Sequence, residues 1–288
     1  MKIAIVGLGL IGASLGRAII KYTSHEVYGL DTDESVLKKA DGLKAHTRAL
    51  SADDYKSVDL VLFALNPDVA ISEMNRICPL LKDGAAVADT CGNKRVICTE
   101  MERLKKQYPS LKFIGTHPMA GREFSGIDYS DADLFKGAYF ILVPIGEDSP
   151  ADLLSRLSFD IGAGGVEICS ADRHDEMIAY TSQLAHVVSS CYVRDAHSAR
   201  HAGYSAGSFA DLTRVARLNP EMWTELFFQN KDNLLSSIEG MQSRLEEMRI
   251  ALKSDDERGL AELLRQGTAC KERADLALKE KKNERNSR

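Results

Sequence analysis

The sequence predicts an α/β domain built on a parallel sheet over residues 1–170, followed by an all-helical domain over residues 171–288. Three observations carry this. Short apolar, β-rich runs alternate with helix-periodic stretches through the first half. A glycine-rich turn joins the first run to the first helix. Strand signals then stop at Ala171.

In order, the strands are expected at 2–6, 27–30, 60–64, 86–89, 112–115 and 139–143, with helices at 11–22, 34–40, 69–78 and 94–106 between them. Continuous apolar runs alternating with helices describe βαβ units, whose parallel sheet is covered on both faces. Gly162, Gly164 and Gly165 mark one more turn before a strand at 166–169. Beyond it proline nearly disappears, Pro220 being the last, and stretch 222–253 carries apolar residues at helical spacing. The end of the chain, 279–288, mixes both signs of charge and reads as a frayed, solvated helix end rather than a nucleic-acid tail.

The composition is that of an ordinary globular protein, 44% hydrophobic and 27% charged. A net charge of -5 argues against a nucleic-acid or anionic-membrane partner and for a small molecule. The six cysteines show no CxxC pair and no metal-ligand spacing, so no metal is expected and the thiols read as reduced and cytoplasmic. No apolar run is long enough to span a bilayer, and residues 1–7 lack a signal-peptide layout.

The run at 2–6 leads directly into Gly7-Leu8-Gly9-Leu10-Ile11-Gly12 and a helix. Each glycine has a task in a dinucleotide-binding turn. Gly7 permits the tight turn, Gly9 lets backbone approach a pyrophosphate, and Gly12 lets helix and strand close up, while the helix N-terminus supplies amide donors. Asp31 follows Gly12 by 19 positions, the distance expected of a carboxylate on a ribose 2′-hydroxyl. It would repel a 2′-phosphate, which favours NAD over NADP. Asp31 could instead cap the next helix, a task Asp33 or Ser35 could also perform. The first domain is therefore expected to be Rossmann-like.

The second informative stretch is Gly115-Thr116-His117-Pro118-Met119-Ala120-Gly121-Arg122-Glu123, at the carboxyl end of a strand, where open α/β sheets bind ligands. Pro118 favours an extended backbone at His117. Together with the glycine turn, GTHPMAG resembles the signature of the prephenate/arogenate dehydrogenase family. His174-Asp175, Ser182-Gln183-Leu184-Ala185-His186, Asp211-Leu212-Thr213-Arg214-Val215-Ala216 and Trp223 recur in that family's order, so the likeness runs from about residue 2 to 230.

The resemblance implies an NAD-dependent oxidative decarboxylation in a homodimer, with the site between a dinucleotide-binding domain and a helical domain. It makes His117 the acceptor of the substrate's hydroxyl proton, Arg214 the grip on a substrate carboxylate, and His186 a histidine on the substrate side, with Glu123 organising the pocket. Each has a plainer reading. Arg214 stands three positions after Asp211, the spacing of a surface ion pair, and His186 could be a core histidine. His174 and Asp175 could cap or pair locally and receive no catalytic role. Trp223 reads as a packing anchor.

Three departures from the family pattern stand out. Gly92 occupies the position of a family serine, leaving water, Thr90 or Asn93 to supply its hydrogen bond. Ala185 replaces a common proline, so the helix carrying His186 is expected to run straighter. Nothing after Asn230 resembles the regulatory domain that some members append. Two other functions fit parts of the sequence. A 3-hydroxyacid dehydrogenase usually depends on a lysine in the helical half, but the first lysine after Ala171 is Lys231. A catalytically inactive dinucleotide sensor is favoured by Gly92 alone.

Overall fold

A computed structural model describes residues 1–286; the last two residues of the expected frayed end lie outside the described residues. The chain forms two compact units, Met1–Lys231 and the segment from Asp232 onward. Among the described residues, everything from Ala171 on is helical or irregular, with no further strand, so the change in secondary structure falls at the expected place. The boundary between compact units falls later, because helices after 171 pack on the first unit.

The first unit is built on an eight-stranded sheet: β1 (Lys2–Val6), β2 (Glu26–Leu30), β3 (Arg48–Ala49), β4 (Leu60–Phe63), β5 (Ala86–Asp89), β6 (Lys112–Pro118), β7 (Tyr139–Ile145) and β8 (Gly165–Ile168). Its spatial order is β3-β2-β1-β4-β5-β6-β7-β8. Successive residues feed opposite cores, as strand geometry dictates. Ile3, Ile5, Leu60, Leu62, Ala86 and Ala88 join the core under α1 (Leu10–Tyr22), α2 (Glu34–Leu43) and α5 (Ala151–Asp160). Ala4, Val6, Val61, Phe63 and Val87 join the core under α3 (Pro67–Ile77) and α4 (Arg95–Gln107). With both faces buried, the strands carry unbroken apolar runs instead of alternation.

The expectation of a wholly parallel sheet is corrected at one junction. β7 runs antiparallel to β6 because the connection between them holds only a short 3₁₀ turn, Ile127–Tyr129, and no crossover helix. This pairing extends β6 through His117, opposite Ile141, and Pro118, opposite Phe140. Strand order reverses between β1 and β4, so the crevice at their carboxyl ends is the topological switch point.

Continuing in the first unit are α6 (Ala171–Ile178), a π-turn at Ala179–Gln183, α7 (Leu184–Val193), α8 (Gly207–Thr213) and α9 (Pro220–Gln229). The π-turn corrects the straight helix expected from Ala185: an extra residue per turn displaces α7 without any proline. The periodic stretch 222–253 divides at Asn230. That residue leaves helical geometry while its amide donates to Asp175 O and Gln183 Oε1 at 2.8 and 2.9 Å. The second unit consists of α10 (Lys231–Lys253), which begins at the boundary, and α11 (Glu257–Asn286), started by the Asp256 carboxylate accepting Gly259 N at 2.8 Å.

Candidate active site

The residues singled out from sequence fall at two loci and on the helices after β8. The first is the glycine turn at the switch point. Gly7 has φ +91°, and a side chain there would press on the carbonyl of Ala64 at the end of β4. A Cβ at Gly12 would collide with the carbonyl of Gly7, whereas Gly9 faces open space. The α1 helix starts without a side-chain cap, leaving the amides of Leu10 and Ile11 in its first turn open to an anion. Asp31 accepts Leu8 N at 2.8 Å with one carboxylate oxygen and Asp33 N at 3.0 Å with the other. Asp33, not Asp31, caps α2, accepting Ser35 N at 2.7 Å. The capping alternative for Asp31 thus falls away, and the residues present fit a dinucleotide.

The second locus lies at the far end of β6. Its floor is a buried ion pair: Lys94 Nζ donates to Asp89, and both side chains are fully buried. Asp89 also accepts Cys91 N at 2.7 Å and Thr116 N at 3.0 Å, so its charge is met from several directions. Burial opposes the ammonium most strongly, but Asp89, Cys91 and Cys98 together outweigh it and raise the Lys94 pKa above the usual lysine value. Gly115 is what lets Lys94 lie there, since a Cβ would reach 2.8 Å from Cys98 Sγ and 3.1 Å from Lys94 Cδ.

His117 stands two residues on, partly exposed on the same face of the strand. Its Nδ1 is 2.9 Å from His174 Nε2, and His174 Nδ1 is 2.7 Å from Asp175 Oδ1. Asp175 also accepts the backbone N–H groups of Lys94 and Arg95 at 2.7 and 2.9 Å. Burial first, then the neighbouring His174 and the Lys94 ammonium, push the His117 pKa well below the usual histidine value. Burial also lowers that of His174, even against Asp175. His117 Nε2 has no hydrogen-bond partner among the described residues. The sequence assigns the His174-Asp175 pair no role. Adjacency of a histidine and an aspartate at the start of a helix is the available signal, but nothing in the linear order points it at β6.

On the helical side, Arg214 reaches Glu123 at 3.5 Å, not Asp211, and both side chains are exposed. They line an open cleft of about 450 Å³ with Thr213, Ala216 and Arg217. Arg217, missed from sequence, lies three residues after Arg214 in the irregular stretch that follows α8. Neither His117 nor His186 belongs to that lining. His186 places Nδ1 2.9 Å from Ser182 O and its ring 4.0 Å from that of Trp223. Burial lowers its pKa, opposed by the Ser182 carbonyl and reinforced by the charge of Arg214. Gly92 faces Leu226, whose methyls a Cβ would meet at 3.4 and 3.7 Å, so the turn itself would accept a serine. The expected substitutes are engaged elsewhere, Thr90 with Phe63 O and Asn93 with Leu226 O and Gln183.

One sheet thus carries a glycine turn at its switch point and a partly buried imidazole at the carboxyl end of β6. The family model for the nucleotide-binding domain of prephenate dehydrogenase matches residues 15–163, and that for its dimerization domain matches residues 170–266. The chain belongs to the prephenate dehydrogenase family. It is 31% identical to cyclohexadienyl dehydrogenase of Zymomonas mobilis, across 96% of each chain. It is 28% identical to prephenate dehydrogenase of Lactococcus lactis, across 96% of this chain and 78% of that one. Among solved structures, it is similar to a prephenate dehydrogenase from Aquifex aeolicus in complex with hydroxyphenyl propionate and NAD+, with TM-score 0.83 and 26% identity over 95% and 98% of the two chains. An arogenate dehydrogenase from Synechocystis gives TM-score 0.79 and 26% identity over 95% and 100%. The family's two domains thus account for the Rossmann-like sheet and the helices that come after it. No described helix is long and apolar enough to cross a membrane.

Proposed function

We propose that this prephenate dehydrogenase family member oxidatively decarboxylates prephenate to 4-hydroxyphenylpyruvate with NAD, arogenate being the other substrate its relatives name. The observation that carries the assignment is His117: an imidazole kept neutral at the carboxyl end of β6, one nitrogen held by His174 and the other open. NAD, when bound, supplies the hydride acceptor. Gly7, Leu8, Gly9, Leu10, Ile11 and Gly12 would hold its pyrophosphate, and the Asp31 carboxylate has lone pairs left for a ribose hydroxyl.

The chain's own groups divide the remaining work. His117 takes the proton of the ring hydroxyl as hydride leaves the same carbon, and loss of carbon dioxide makes the ring aromatic. A neutral imidazole can do this near neutral pH. Arg214 grips one carboxylate of the substrate, held in place by Glu123, and Arg217 offers a second cation to a dicarboxylic acid. His186, neutral and donating Nδ1–H to Ser182 O, presents Nε2 as an acceptor suited to a substrate hydroxyl. We place the dinucleotide domain at 1–170 and the substrate and dimerisation domain at 171–288. The protein acts as a cytoplasmic homodimer whose six thiols, all free in the structure, stay reduced.

The test offers prephenate and arogenate separately to the purified protein, with NAD and then NADP, following nicotinamide reduction and carbon dioxide release. NAD-linked turnover of either acid supports the proposal and names the preferred substrate. Binding of NAD without turnover of either would move the assignment to a dinucleotide sensor.

A further inference from the structure

The hydrogen-bond chain behind His117 fixes which of its nitrogens can act. Asp175 Oδ1 lies 2.7 Å from Lys94 N and 2.7 Å from His174 Nδ1; Oδ2 lies 2.9 Å from Arg95 N. A backbone N–H can only donate, so both carboxylate oxygens are acceptors. His174 must therefore carry its hydrogen on Nδ1. Burial and the Lys94 ammonium keep His174 from taking a second proton, which leaves its Nε2 as a lone pair. That lone pair faces His117 Nδ1 at 2.9 Å, and one of the two nitrogens must supply the hydrogen. Only His117 Nδ1 can.

We infer that His174 and Asp175 are positioning residues that lock His117 in its Nδ1–H tautomer, so that Nε2 is the atom that accepts the substrate proton. The balance is simple: Nε2 gains the proton, Nδ1–H stays bonded to His174, and the positive charge formed on His117 is met through His174 by the Asp175 carboxylate. This is the logic of a carboxylate orienting a catalytic histidine, with a second imidazole inserted between them. Gly92 makes the arrangement more important, because that position brings no hydroxyl to share the task and Thr90 and Asn93 are bonded elsewhere.

The inference rests on His117 being the proton acceptor, and its test separates the two. In the wild-type protein at neutral pH, nitrogen-15 NMR of the side-chain imidazoles, assigned through His117→Asn, should show His117 protonated at Nδ1; a signal for the Nε2–H form would overturn the proposal. That readout needs no turnover, so normal activity of His117→Asn would remove the acceptor role and leave the tautomer standing. His174→Gln puts an amide oxygen near the place of the lost Nε2 and should keep kcat within about tenfold, whereas His174→Leu, similar in size but with no acceptor, should lower kcat roughly a hundredfold with KM for the acid little changed. Equal losses in the two variants, or a change confined to KM, would mean the pair only packs.

Discussion

Arg214 lies 3.5 Å from Glu123 and remains exposed, so its remaining donors are open to a ligand. A hydrogen bond to a charged group contributes about 1.5–3 kcal/mol, so Arg214→Ala should raise KM for the acid substrate roughly tenfold to a hundredfold, with kcat affected less. Steady-state kinetics with varied acid decide it; an unchanged KM would make the pair a surface contact. Motif residues such as His117, Arg214 and Asp31 are legible in the sequence because each sits in a short, chemically specific stretch. Arg217 and His174 are not, because their meaning depends on what faces them: a cleft wall for one, and β6, 57 positions earlier, for the other.

At the scale of elements, the glycine turn makes the sharpest prediction. Gly12 lets α1 approach the Gly7 carbonyl too closely for any Cβ, so Gly12→Ala forces α1 away from β1. Overpacking of this kind costs about 1–3 kcal/mol, and the displaced amides should weaken NAD binding by about tenfold or more. Calorimetric titration with NAD and a denaturant midpoint measure both; an alanine variant with wild-type values would show that the contact is not needed. The β1-to-α1 passage is readable from sequence because glycine spacing and apolar pattern agree there. The antiparallel β7 is not, since a strand's pattern is the same in either direction and only the connection decides. The two-residue β3 is too short for any periodicity, α5 lies hidden after the strand run ends, and the π-turn has no residue signature comparable to proline.

For the molecule as a whole, exposed side chains such as Leu245, Ile250, Leu252, Leu264, Leu276 and Leu278 crowd the second unit far beyond what scattered surface leucines need. With a family dimerization domain matched over 170–266, the protein should sediment as two chains of 31.7 kDa each; a monomer at micromolar concentration would contradict the homodimer. Stability should also respond to pH. His117, His174 and His186 all titrate below the ordinary value of 6.5 in the fold. Between their folded values and about 6.5 the unfolded chain binds more protons, so stability is full above that window and falls as pH drops through it. Asp175, also lowered, acts only below about pH 4, where its loss adds to theirs. Denaturation midpoints compared at pH about 8 and about 5.5 should therefore differ, and equal midpoints would mean the fold does not hold the three imidazoles neutral.

The most direct measurement is a comparison of His117→Asn with the wild type, with NAD affinity determined by titration and turnover measured with the preferred acid. The structure predicts NAD affinity within about twofold and kcat lower by roughly a hundredfold or more, because only proton transfer is lost. Near-normal turnover in that variant would contradict the assignment of His117, and with it the reading of the site.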